Sequence, residues 1–400
     1  MIGERIRQGR LVAGLTLDET VQRLTKHGVS VSKQGLSNYE KNKRMPKASV
    51  LMALARALRV KADYFLEESN VTISWTAYRC QSGLLKRQKA EIEAVAQSVA
   101  ERYMYFQSTL FPEQKPEFPT RMKVRSGKDA EEAADTLREK WRLGTGALDS
   151  LTQIIESKGA LLVEHSMPGV TFDGLSGWIN DTFPVLIVNS SVPTDRLRFD
   201  LAHELGHLAL DCHSKDPKEE EGIVHRFAGA FLAPGDTVRM ELGDRRRTID
   251  FQELALLKKR YGLSMQGFIC RAQQLGIVSK AEGKRMWIEF SRLGWRKKEP
   301  VEYKGDEKPT RLAQMVMRAL AEGIITEEKA REYAPRIGPA AGPVEKVQEA
   351  ATPTAHDLLK MSRRARLSLL AQAAFEAQAL YNNEPDQADW AQLGLEDLHE

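Results

Sequence analysis

Two histidines four residues apart, with a glutamate directly after the first, stand at His203-Glu204-Leu205-Gly206-His207. On a helix, positions i and i+4 share a face, so both imidazoles can grip one metal ion from adjacent turns. Glu204 sits about 100° round the helix from His203 and can reach a metal-bound water without being a ligand. That trio describes metal-assisted hydrolysis, with zinc the expected ion. Leu201, Leu205 and Leu208 recur at i, i+4 and i+7 and are expected to bury the opposite face. Gly206 costs about 1 kcal/mol against alanine inside a helix, so it is expected to admit a close neighbour such as a strand or a substrate backbone. The bland alternative, a core helix, would bury two imidazoles and a carboxylate and need partners for each.

A catalytic zinc takes three protein ligands and keeps one position open for water. The candidates beyond His207 are Asp211, Cys212, His213, Glu219, Glu220, Glu221 and His225. Asp211 lies one turn further along the same face if the helix continues that far. Glu221 opens a second helix in which Val224, Ala228 and Phe231 form an apolar stripe that ends at Pro234, and Glu221 and His225 share another face of it. A carboxylate from a second, packed helix completes a tetrahedral site more easily than a neighbour one turn along.

The elements that must hold this site read as helices over 129–141 and 148–158, a strand over 160–164, a turn and short strand over 173–180, and a strand over 184–189. Pro193-Thr194-Asp195-Arg196 then opens the metal helix. Helix, short strands and a His-Glu-x-x-His helix is the order of a minimal α+β metallopeptidase. In such an enzyme a sheet edge beside the metal pairs with extended substrate, and 185–188 or Ser176-Gly177-Trp178 is expected to supply it.

Upstream, residues 1–66 read as five short helices. Thr16 with Glu19 forms a capping box, a turn holds His27-Gly28, Ser32 caps a third helix, and Pro46 breaks the chain. Two short helices joined by a glycine-containing turn in a small basic bundle are helix-turn-helix architecture. The third helix would enter a major groove, with Lys33, Gln34, Ser37 and Asn38 reading base edges. Lys41, Lys43 and Arg44 would meet phosphates, with Arg5 a weaker candidate. A connector follows, with a helix over 86–105 whose neighbourhood of Trp75, Tyr103, Tyr105 and Phe106 implies that it packs on something.

Charge is uneven along the chain. Its 400 residues carry a net charge of +4, yet residues 1–68 hold 13 Lys/Arg against 7 Asp/Glu and residues 341–400 hold 5 against 10. A basic module at one end and an acidic tail at the other need separate explanations. Cys80, Cys212 and Cys270 are scattered, so no disulfide framework is implied and a reducing compartment fits. No apolar run reaches membrane-spanning length and no signal-peptide core opens the chain. The expectation is a cytoplasmic protein without a membrane partner.

Arg245-Arg246-Arg247, Lys258-Lys259-Arg260 and Arg296-Lys297-Lys298 punctuate a helical region over 241–300. Solvated charge on a packing domain is favoured there over a second nucleic-acid surface. Helices over 312–320 and 327–333 precede a Pro/Gly/Ala linker at 335–343. The tail has an amphipathic helix over 362–381 and then becomes acidic.

Two resemblances now emerge. Gly3-Glu4-Arg5-Ile6-Arg7, Gly14-Leu15-Thr16, Ser32-Lys33-Gln34, Asn38-Tyr39-Glu40-Lys41 and Arg44-Met45-Pro46 resemble Xre/Cro-type repressor domains. Asp18 stands where that family often has an amide that touches phosphate. Asp173-Gly174-Leu175-Ser176-Gly177-Trp178, the stretch from Arg198 to His207, and Glu221-x-x-x-His225-x-Phe227-Ala228-Gly229-Ala230-Phe231-Leu232-Ala233-Pro234 resemble the ImmA/IrrE family of metallopeptidases. The second resemblance implies that His203, His207 and Glu221 bind Zn2+ and that Glu204 is the general base. Position 211, commonly histidine in such relatives, is aspartate here.

The resulting expectation is a multidomain, mainly α protein. It has a five-helix DNA-binding bundle (1–68), a helical connector (69–120), a central α+β zincin-like metallopeptidase domain (121–240), a basic helical domain (241–335), and a linker with acidic tail (336–400). The function expected is a regulator that binds double-stranded operator DNA, as a homodimer, and cleaves a repressor-type protein, either another chain or itself. The alternative is an antitoxin-type repressor that holds a partner toxin through its tail and cleaves little or nothing.

Overall fold

The computed structural model describes residues 1–76, 84–167, 169–170, 172–212 and 216–333. Cys80, His213, the 335–343 linker and the acidic tail with its helix over 362–381 lie outside the described residues. Residues Met1–Arg336 form one compact unit.

The N-terminal bundle consists of α1 (Ile2–Val12), α2 (Leu17–Lys26), α3 (Lys33–Glu40), α4 (Ala48–Leu58) and a single 3-10 turn at Asp63–Phe65 in place of a fifth full helix. Thr16 and Glu19 close the expected capping box on α2, and Ser32 Oγ accepts from the Gly35 amide at the start of α3. Ile6, Leu24, Leu36, Leu54 and Phe65 fill the core between these helices.

Beyond it come β1 (Ile73–Trp75), α5 (Lys86–Leu110), β2 (Met122–Val124), α6 (Gly127–Lys140), α7 (Leu151–Ser157), β3 (Leu161–His165), β4 (Gly174–Ile179), β5 (Phe183–Asn189), α8 (Thr194–Ala209), β6 (Leu210–Cys212) and α9 (Pro217–Leu232). The helices α10 (Gly235–Leu242), α11 (Phe251–Tyr261), α12 (Met265–Gln274), α13 (Lys280–Arg292), α14 (Arg311–Ala321) and α15 (Glu327–Tyr333) complete the described residues. None of the described helices is long and apolar enough to cross a membrane.

The main sheet has the order β1-β4-β5-β3, with β4 antiparallel to both β1 and β5 and β3 parallel to β5. Asn180 and Asp181, both at positive φ, make the turn between β4 and β5. Alternation along the strands sends side chains to two cores. Leu162, Leu186 and Val188 pack with Leu201 and Leu205 of α8, while Leu161, Val163, Val185 and Ile187 pack with Tyr103 and Phe106 of α5 and Met315 and Val316 of α14. The connector helix therefore covers the back of the sheet. The expected substrate edge is corrected by this topology: 185–188 lies inside the sheet, and 177–179 is paired with β1.

Helices α10 to α13 share the α8 core through Leu242, Leu254, Phe268 and Phe290. Much of their charge is spent internally. Lys258 is buried against Asp195 and Glu299, Arg271 against Glu131, and Arg246 and Arg260 pair with Glu253 and Glu241. These contacts favour a packing region over a second nucleic-acid surface.

Candidate metal centre and DNA-facing helix

Helix α8 is positioned from one side by Leu201, Leu205 and Leu208, all fully buried as the spacing requires. Its Arg198, also fully buried, donates to the Leu148 carbonyl and pairs with Glu307. The helix ends at Ala209 because Leu210–Cys212 turns into a strand parallel to β2, with Lys123 opposite Asp211. That ending corrects one candidate: Asp211 is not a further turn on the metal-binding face.

Gly206 does admit a close neighbour, but it is another helix. A Cβ there would stand 2.9 Å from Val224 Cγ1 and 3.0 Å from Phe227 Cδ1, both on α9. This approach brings Glu221, in the second turn of α9, over the two histidines. His203 Nε2 and His207 Nε2 are 3.1 Å apart. Glu221 Oε2 is 3.2 Å from His203 Nε2, and its Oε1 is 3.5 Å from His207 Nε2. One donor atom from each residue lies within 4.8 Å of the others, and these three form the cluster capable of holding a metal among the described residues. Asp211, Cys212, Glu219, Glu220 and His225 do not join it.

The donor set fits zinc: two imidazole nitrogens and a carboxylate converge, and three protein donors leave a fourth position for water. Glu204 is only 4 % exposed, and its Oε2 is buried without a hydrogen-bond partner. His203 Nδ1 is likewise buried and unbonded. His225 instead sandwiches its ring, stacked on Phe199 at 5.8 Å and tilted against His203 at 4.6 Å. Burial and the neighbouring His203 lower its pKa to about 4. For His207, burial acts downward, but the hydrogen bond to Glu221 and the surrounding carboxylates leave the pKa raised. Burial and nearby carboxylates push the Cys212 thiol up to about 11.

Two parts of the site were missed in the sequence. Gly174, at the start of β4, lies against Glu204, and a Cβ there would meet the glutamate side chain. Arg196 joins Asp173 at 2.8 Å and Asp200 at 2.9 Å, tying the entry to β4 to α8. Burial raises the Asp200 carboxyl to about 7 even though Arg196 pulls it down. The i, i+4 spacing of Arg196 and Asp200 was the signal available for this contact.

On α3, Lys33 and Gln34 are exposed, Ser37 and Asn38 are half-buried, and Lys41, Lys43 and Arg44 follow as an exposed basic run. Lys33 Nζ pairs with Asp18 Oδ2 at 2.6 Å, and Gln34 donates to Asn38 Oδ1 at 3.2 Å. Arg5 is corrected as a phosphate contact. It is 6 % exposed and donates to Glu101 of α5, Gln8 and the Glu67 carbonyl.

Comparison with known families separates the same two regions. Residues 6–65 match the helix-turn-helix family model, and residues 155–272 match the peptidase family model described as the IrrE N-terminal-like domain. The fold and these matches define a helix-turn-helix segment followed, in that order, by a peptidase-family segment. A search of curated proteins returned no match to the chain.

Proposed function

We propose that this protein is a DNA-binding regulator carrying a zinc-dependent endopeptidase centre that cleaves a repressor-type protein, the chain itself included. The observation that carries the reading is the convergence of His203, His207 and Glu221 beside the buried Glu204, within the same compact unit as a helix-turn-helix bundle.

His203 Nε2, His207 Nε2 and the Glu221 carboxylate would hold Zn2+. Zinc supplies Lewis acidity when bound, polarising a carbonyl and lowering the pKa of water. The remaining chemistry belongs to Glu204. Its Oε2 takes a proton from the water that attacks the scissile carbonyl and returns it to the departing amine nitrogen, so one peptide and one water become an acid and an amine. Helix α3 and the Lys41, Lys43 and Arg44 run dock on duplex DNA, and Lys33, Gln34, Ser37 and Asn38 face base edges.

The test is the full chain supplied with zinc, incubated alone and followed by intact-mass spectrometry, with Glu204→Gln in parallel. The parent is expected to cleave, whereas the variant binds one zinc and stays intact. A variant that cleaves as fast as the parent would end the assignment of Glu204. Binding to duplex DNA from upstream of its own coding sequence, by fluorescence anisotropy, tests the other half.

A further inference from the structure

A peptide that binds by strand addition needs an unpaired sheet edge. The strand closest to Glu204 is β4, through Gly174. Its outer edge is already taken over much of its length. Strand β1 pairs with it in the register Ile73↔Ile179, Ser74↔Trp178 and Trp75↔Gly177. The Thr76 amide extends the ladder by donating to the Ser176 carbonyl at 2.9 Å, and the Asn180 amide closes its other end on the Thr72 carbonyl at 2.9 Å. Side chains reinforce it, as Asn180 Oδ1 accepts from the Thr72 amide and Asp181 Oδ1 from the Ser74 hydroxyl. Gly177 permits the approach, since a Cβ there would lie 2.6 Å from the Ser74 carbonyl oxygen.

The direction of β1 matters as much as its position. It runs antiparallel to β4, so its Thr76 end points along β4 toward Gly174 and hence toward Glu204. An extended substrate on this edge, also antiparallel, would place the residues preceding its scissile bond where β1 now sits. We infer that β1 is a built-in occupant of the substrate edge, which peptide residues on the N-terminal side of the cleaved bond must displace. The inference rests on the peptidase reading above and adds to it a gate. That gate is tied to the helix-turn-helix bundle, where Arg5 Nε donates to the Glu67 carbonyl at 2.8 Å, and to the connector helix, where Gln97 on α5 donates to the Val71 carbonyl at 2.8 Å.

Two changes in the full chain move the gate in opposite directions. Thr76→Pro deletes the amide that bonds Ser176. Ile73→Cys with Ile179→Cys places thiols at facing, non-hydrogen-bonded positions, where Cα atoms about 4.5 Å apart suit a disulfide. Single-cysteine variants control for the native thiols. Zinc binding to the parent is measured first by calorimetry. The probe is then acetyl-trialanine hydroxamate, whose residues all lie on the N-terminal side of its metal-binding group. Binding at least tenfold tighter in Thr76→Pro is expected. In the oxidised double cysteine variant binding falls at least tenfold and returns on reduction. If Thr76→Pro does not fold, the reversible lock decides alone. Equal affinity in parent, oxidised and reduced lock overturns the gate and leaves the peptidase reading standing. Failure of the parent to bind zinc overturns that reading, and the gate with it.

Discussion

Gly174 lies so close to Glu204 that a Cβ at this position would stand 2.6 Å from the glutamate Cγ and 3.0 Å from its Oε1. The absence of a side chain on β4 therefore fixes where the proposed base can sit. Gly174→Ala is expected to push Glu204 aside and to reduce cleavage about a hundredfold, the lower range for a displaced general base. Zinc affinity should hardly change, because the atoms nearest that Cβ all belong to Glu204 and not to the three converging donors. Single-turnover cleavage beside a zinc titration separates the two effects, and equal loss of both would refute the assignment.

Glu221 reaches the histidines from a different helix, so its removal should act on the metal alone. Glu221→Ala is expected to weaken zinc binding by more than about a hundredfold, beyond what loss of an outer-shell contact costs. Chelation of zinc should lower the melting temperature of the parent, because a ligand bound only by the folded state stabilises it by mass action. In Glu221→Ala the chelator should shift melting little. A parent that melts alike with and without chelator would count against the site.

The pair of Lys33 with Asp18 places a carboxylate on the surface that should meet DNA, with both side chains about three-fifths exposed. Asp18→Asn is expected to tighten duplex binding and to steepen its salt dependence, because one more cation becomes available to release counterions. Lys43→Ala should weaken binding and make the slope shallower. Arg5→Ala should leave the slope unchanged and lower stability instead, since its charge is used against Glu101. Anisotropy titrations at several salt concentrations distinguish these outcomes.

The Asp200 carboxyl gives a pH signature. Its pKa of about 7 in the fold exceeds the ordinary value of about 3.9, so the native state holds the proton more tightly than the unfolded chain does. Its contribution to stability is full below pH of about 4 and is lost as pH rises through 7. With chelator present, Asp200→Asn should flatten the fall in melting temperature across that window. A fall of the same depth in both proteins would show that another group carries it.

Much of the architecture was legible because it rests on local signals. Thr16 with Glu19, the Leu201, Leu205 and Leu208 spacing, and the apolar stripe before Pro234 each announce an element within a few residues. The convergence of His203 and His207 was legible from helix geometry, whereas Glu221 was one of seven candidates until the resemblance singled it out. What escaped was nonlocal. Strand β1 has three residues and acquires meaning only from its partner more than a hundred positions away. The stop of α8 at Ala209 is imposed by pairing with β2, overriding a helical spacing that runs on to Asp211. Gly206 signalled close packing, but no local pattern could say that Val224 and Phe227 would fill the space.

Arg198 and Glu307 are 109 positions apart in sequence, and both are almost wholly out of water. Glu307 also accepts from the amides of Leu151 and Thr152 at the head of α7. The stretch matched by the peptidase family ends at residue 272, so the carboxylate that neutralises its most deeply buried cation lies outside it. A gene fragment cut to that match would inherit an orphaned charge beneath α8, a defect of several kcal/mol. A stable excision of the peptidase-family segment must therefore carry the 307 stretch along, and the folding unit is longer than the stretch by which it is recognised.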